Sequence, residues 1–62
     1  MMNFNHINIG DKAIVDGEQV EVMGKRTDVQ LVQVYVENPK SERYLEVMVV
    51  KPEQIKGGIT HV

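Results

Sequence analysis

Apolar and polar residues alternate with period two along most of the chain, the pattern of strands whose successive side chains point to opposite faces. Residues 10–15 read as a first strand that stops at Asp16-Gly17. That dipeptide is the strongest short hairpin signal, because a type I′ turn needs positive φ at both central positions. A two-residue turn there pairs Val15 with Glu18, Ala13 with Val20 and Asp11 with Val22. One face then carries Ala13, Val15, Val20 and Val22. The other sets Ile14 beside Gln19 and Lys12 beside Glu21.

Gly24 interrupts the second strand, and a glycine inside a strand marks a bulge or a bend. Residues 25–28 read as a polar turn and residues 29–37 as a third strand, rich in β-branched residues. Asn38-Pro39-Lys40-Ser41 is a turn in which proline fixes φ, and residues 42–50 follow as a fourth strand. A four-residue loop at 38–41 sets Tyr35 opposite Tyr44, Gln33 opposite Glu46 and Leu31 opposite Met48. On the other face Val34 meets Leu45 and Val32 meets Val47. Val32, Val34, Val36, Leu45, Val47 and Val49 then form one apolar surface. A slip of one residue would turn every side chain over. This register also places Glu37 against Glu42, a like-charge pair.

Residues 51–55 contain Pro52 and lose the alternation. They read as one 3₁₀ turn, with Ile55 plugging the end of the core. Gly57-Gly58 permits a sharp reversal, and residues 59–62 add a short last strand. No segment keeps a helical period over three turns, and no repeat is visible. The expectation is one all-β domain over residues 1–62, a small barrel of about five short antiparallel strands with a 3₁₀ turn before the last. Residues 1–7 form a flexible or covering N-terminal segment.

Composition narrows this picture. A chain of 62 residues buries only about 60% of the surface that its unfolded form exposes, so its core must be economical. The aromatic residues are Phe4, Tyr35 and Tyr44, which leaves the core to Val, Ile, Leu and Met. Cysteine is absent, which excludes disulfides and thiolate metal sites and fits a cytoplasmic home. No apolar run approaches the roughly 20 residues that cross a bilayer. The first ten residues lack the basic and apolar regions of a signal peptide. Net charge is −2 and is spread along the chain, so no strong pull toward nucleic acid or anionic lipid is expected.

The segment Ile9-Gly10-Asp11-Lys12-Ala13-Ile14-Val15 is similar to the openings of many bacterial SH3-like and KOW-type domains. Val50-Lys51-Pro52-Glu53-Gln54-Ile55 resembles their junction of strand and 3₁₀ turn. The tail from Lys56 to Val62 is similar to that of YorP-like proteins of Bacillus prophages, uncharacterised SH3-like proteins. The resemblance implies an SH3-like barrel and a phage or prophage accessory role. The chain lacks the Ala-Leu-Tyr-Asp-Tyr opening and the Trp of eukaryotic SH3 domains, so binding of Pro-rich peptides is not implied. It also lacks the basic surface of ribosomal KOW proteins, and a fold by itself supplies no function.

Candidate chemistry is sparse. His6 and His61, with Asp11 or Glu53, could approach as metal ligands if the first and last strands pair. The plainer reading is two solvated terminal histidines, and no metal or cofactor is assigned. Gly24-Lys25-Arg26-Thr27 has the end of a phosphate-binding loop but Gln at position 19 where the first glycine belongs, and it reads as a polar loop. Ser41, the one serine, sits in a turn without a His–Asp pair. Glu37, Glu42, Glu46 and Glu53 read as a solvated face rather than acid–base groups. No enzymatic activity is expected.

The tyrosines carry more. Tyr35, Tyr44, Leu31 and Met48 form a stripe on the face away from the valines, continued by Val29 and Val50. Covered by Phe4 and Ile7, the stripe is a second, minor core. Left open, with Arg43 and Arg26 at its rim, it is a surface for a protein partner or for a second copy of the chain. The alternative is nucleic acid, with Lys25, Arg26, Lys40, Arg43 and Lys51 on phosphate and the tyrosines stacking on bases. Asp28, Glu37, Glu42 and Glu46 lie among these cations and oppose it. The expectation is a non-enzymatic module for protein binding, with a homodimer through exposed strands as a related outcome.

Overall fold

A computed structural model describes residues 4–60. Its strands are β1 (Lys12–Val15), β2 (Glu18–Arg26), β3 (Leu31–Val36), β4 (Val47–Val50) and β5 (Ile55–Thr60). One 3₁₀ turn, Phe4–His6, precedes β1, and another, Pro52–Gln54, precedes β5. All pairings are antiparallel within a single sheet of order β4-β3-β2-β1-β5. The all-β class, the five strands and the 3₁₀ turn before the last strand agree with the sequence pattern.

The first hairpin has the expected register, with Val15 opposite Glu18, Ala13 opposite Val20 and Lys12 opposite Glu21. Asp16 and Gly17 both take positive φ, 50° and 79°, as a type I′ turn demands. The pairing runs one step further, because the Val22 N–H donates to the Asp11 carbonyl at 2.8 Å.

Gly24 marks a bulge, but β2 does not end there. Val22 pairs with Val34 and Gly24 with Gln33, so Met23 is an extra residue without a partner on β3. The chain turns at 27–30 instead of 25–28. Beyond the bulge the two faces exchange residues. Lys25, now opposite buried Val32, turns its ammonium over the Phe4 ring, 4.3 Å from the centroid.

The expected pairing of β3 with β4 is wrong by three residues. Val32 pairs with Val50, Gln33 with Val49, Val34 with Met48 and Tyr35 with Val47. An odd shift inverts the faces of β4. Val50 is buried and Met48 packs against the core, while Leu45, Val47 and Val49 are exposed. The cause lies in the connection. Residues 38–46 fold into successive turns, with Ser41 N–H bonded to Asn38, Tyr44 N–H to Ser41 and Glu46 N–H to Arg43, all through backbone carbonyls. The Asn38 side chain accepts the Lys40 N–H at 3.0 Å. No strand forms over 42–46, and the Glu37–Glu42 pair does not arise.

One face of the sheet supplies nearly the whole core. Val15, Val20, Val22, Val32, Val34 and Val36 are fully buried, with Ala13, Val50 and Ile55 beside them. No second layer of helix or sheet covers these residues among those described. Side chains from one sheet reach zero exposure only where that sheet curls around them. Phe4 and Ile7 are buried in this same valine cluster; they do not cover the tyrosine stripe, as one reading of the sequence had it. β5 pairs Ile55 with Val15 and Lys56 with Ile14, then slips by two residues to pair Thr60 with Lys12. Gly57-Gly58 therefore lies within a strand, at an irregularity, and makes no reversal.

Candidate functional site

Side chains directed away from the core divide the outer face into a charged half and an apolar half. Lys12 from β1 and Glu21 from β2 face each other across the ladder, and Glu37 follows the end of β3. The Lys12 ammonium lies 3.2 Å from Glu37 Oε2 and 4.0 Å from Glu21 Oε1. A hydrogen bond from Lys12 to Glu37 and the charge of that carboxylate raise the lysine pKa above its ordinary value. Tyr35 borders the group. Its phenol is also raised, chiefly by a hydrogen bond with the Glu21 carboxylate. One ammonium serves two carboxylates here, so this half presents a hydrogen-bonded surface with one negative charge in excess.

The apolar half lies on β3 and β4. Val47 sits opposite Tyr35, and Val49 opposite Gln33. These valines are 54% and 55% exposed. Half-buried Leu31 extends the patch at the far end of β3, next to Arg26. Exposed Tyr44 and Leu45 stand in the loop at its near end.

The candidate residues named from sequence are thus partly united. Leu31 and Tyr35 share the outer face. Tyr44 does not pair with Tyr35; it occupies a turn, held by its N–H to Ser41 at 3.1 Å. Met48 faces the core side. Arg43 is engaged by its own loop: Nη2 and Nε reach Glu46 Oε1 at 2.9 and 3.2 Å, and Nη2 lies 2.8 Å from Met48 Sδ. The same contact holds the Glu46 carboxyl below its ordinary pKa and the guanidinium above its own. Arg26 pairs with Asp28 at 3.2 Å. The two arginines lie at opposite ends of β3, roughly 16 Å apart along a strand that rises about 3.3 Å per residue.

Val47 and Val49 were missed as surface residues, although a signal exists. Val47-Met48-Val49-Val50 is apolar at every position, so any register leaves one side of it exposed.

Other chemistries find no geometry. His6 is exposed, and His61 lies outside the described residues. Asp11 is buried and accepts the Asn8 N–H at 2.8 Å. Among the described residues no three His, Asp or Glu side chains converge as metal ligands. Ser41 Oγ donates to Glu18 Oε2 at 2.5 Å and accepts the Arg43 N–H, a structural tie from the long loop to the first hairpin. Gly24, Lys25 and Arg26 belong to β2 and form no loop. Of the cations offered for phosphate, Arg26 and Arg43 are paired with carboxylates and Lys25 lies on Phe4. No described helix is long and apolar enough to cross a membrane. The chain matches no protein-family model, no curated protein and no solved structure.

Proposed function

We propose that this chain is a non-enzymatic binding module that recognises a protein partner through the β3–β4 half of its outer face. The observation that carries this reading is the pair Val47 and Val49, more than half exposed beside Tyr35 and Leu31 on the β3–β4 ladder. Exposed apolar area next to an aromatic ring and rimmed by arginine is the composition of protein interfaces. Leu31, Tyr35, Val47 and Val49 form the contact patch; Arg26 bounds it at one end and Tyr44 at the other, while Arg43 is turned to Glu46 and Met48 on the core side of β4. Met48 acts from beneath, as packing. The strand order and the 3₁₀ turn before β5 support an SH3-like barrel, a scaffold that serves binding in many settings.

The test is a photo-crosslinking residue, p-benzoylphenylalanine, placed at Tyr35, where it is nearly isosteric. A control carries it at exposed Glu53 on the second 3₁₀ turn. In extract of the native host, the expected result is a discrete adduct of a different protein from position 35 and none from 53. Equal, diffuse labelling from both positions would remove the face as a binding site.

A further inference from the structure

The hydrogen bonds of β4 show which backbone groups its outer edge leaves open. Val36 donates to the Glu46 carbonyl at 3.0 Å and accepts the Leu45 N–H at 2.8 Å. In an antiparallel ladder the bonded residues alternate. Met48 and Val50, opposite Val34 and Val32, therefore point their N–H and C=O groups at β3. Val47 and Val49 point theirs the other way. No strand among the described residues lies on that side, because β4 ends the sheet.

The open edge is bounded at both ends. Past Val50, Lys51 spends its N–H on Gln54 Oε1 at 2.9 Å and its carbonyl on the Gln54 N–H at 3.0 Å. Before Val47, the Leu45 N–H is already held by Val36. What remains is Val47 and Val49, placed symmetrically about Met48.

From this symmetry we infer that two copies of the chain pair through β4, antiparallel, about a two-fold axis that passes between the two Met48 residues. Val47 of each copy then exchanges both backbone hydrogen bonds with Val49 of the other. All the open groups are satisfied, and none is asked of Lys51. A two-fold perpendicular to the sheet keeps outer face with outer face. The four exposed valines become contiguous, and two sheets join into one. The charges agree with antiparallel entry, since the strand runs from Glu46, whose carboxylate already holds Arg43, to Lys51. Each acidic end meets the other copy's basic end, whereas parallel entry would set acid beside acid. The strand itself carries no charge and no proline to block such pairing. The inference rests on backbone groups and stands apart from the face reading, although Val47 and Val49 serve both.

The experiment is sedimentation equilibrium of the intact chain from micromolar to millimolar concentration, with three kinds of variant. Chemical synthesis introduces N-methylvaline at 49; this removes an N–H that β3 does not use. Val49→Lys places a charge on the edge. Met48→Cys and Val47→Cys, made singly in a chain free of cysteine, report register under mild oxidation. Residue 48 meets itself as a non-bonded pair with Cα atoms about 4.5 Å apart, within disulfide range, and residue 47 does not. The expected results are a reversible wild-type dimer, association weakened about tenfold or more by both changes at 49, and a disulfide dimer from position 48 alone. A chain monomeric at every concentration overturns the inference. So does a dimer indifferent to N-methylation, or one that cross-links equally through position 47. A monomeric chain that still gives a heterologous adduct from position 35 leaves the face reading in place.

Discussion

Leu45 donates its N–H to the Val36 carbonyl at 2.8 Å from a left-handed backbone, with φ at 68°. Leu45 and Glu46 together oppose Val36, so the loop enters β4 through a bulge whose first residue takes positive φ. Glycine is the natural occupant of that position. A branched side chain there costs about 1–2 kcal/mol. Leu45 is largely exposed and loses little burial on truncation. Leu45→Gly is expected to stabilise the fold by about 1 kcal/mol and to raise Tm by roughly 4–8 °C, by the scaling for small domains. Thermal unfolding followed by circular dichroism checks it; a fall in Tm would show that Leu45 is held by contacts stronger than its strain.

The faces of β4 give a second test. Val34 is fully buried, and Val34→Ala should cost about 2 kcal/mol or more from lost transfer energy and the cavity left behind. Val49→Thr should cost less than about 0.5 kcal/mol, as for other surface changes. Met48→Ala, which removes packing against the core, should fall between them. Urea titrations of the three variants rank them. The order with Val49 above Met48 would restore the register that the alternation suggested.

The first hairpin depends on two residues with positive φ. Gly17→Ala keeps open space around its new methyl group, so its cost is conformational alone, about 1 kcal/mol. Asp16→Asn should gain a few tenths of a kcal/mol, because Asn-Gly is preferred in type I′ turns. Denaturant midpoints of the two variants should move in opposite directions.

Titration should act on two charge clusters, one in the 38–46 loop and one across β1, β2 and β3. Arg43 lowers the pKa of Glu46 below its ordinary 4.5. The stability from that contact is present above the ordinary value and is lost as pH falls through the lowered one. Lys12 and Tyr35 are raised above their ordinary 10.5 and 10.0 by Glu37 and Glu21. Their contribution is complete below those values and disappears as pH rises through the raised ones. Glu46→Gln should flatten the acid limb of a plot of Tm against pH, and Glu37→Gln the alkaline limb. A Glu46→Gln variant that follows the wild type through the acid range would assign no stability to the Arg43 contact.

The sequence was legible where turn chemistry left one choice. Asp16-Gly17 sets both the length of the first turn and its handedness, and every cross-strand pair of β1 and β2 follows. Gly24 announced a bulge, but its geometry keeps β2 running and re-aims Lys25 onto Phe4, which a stop signal does not convey. The second pairing went astray because Asn38-Pro39-Lys40-Ser41 looks like a whole loop when it is the first of several turns. The strand beyond offers no correction. Alternation decides a register only when polar residues mark one face, and residues 47–50 have none. The proposed contact patch inherits that ambiguity, which is why Val47 and Val49 stand where Met48 was expected.

β5 pairs Ile55 with Val15 at one end of its ladder and Thr60 with Lys12 at the other, so β1 receives its second neighbour only after the whole meander has been drawn into one loop. The meander from β1 to β4 needs short closures, whereas docking of β5 must overcome the entropy of the longest loop in the molecule. Assembly should accordingly finish with β5. In the native state its amides should exchange with solvent before those of β2 and β3, as this strand detaches and re-anneals while the valine centre stays intact.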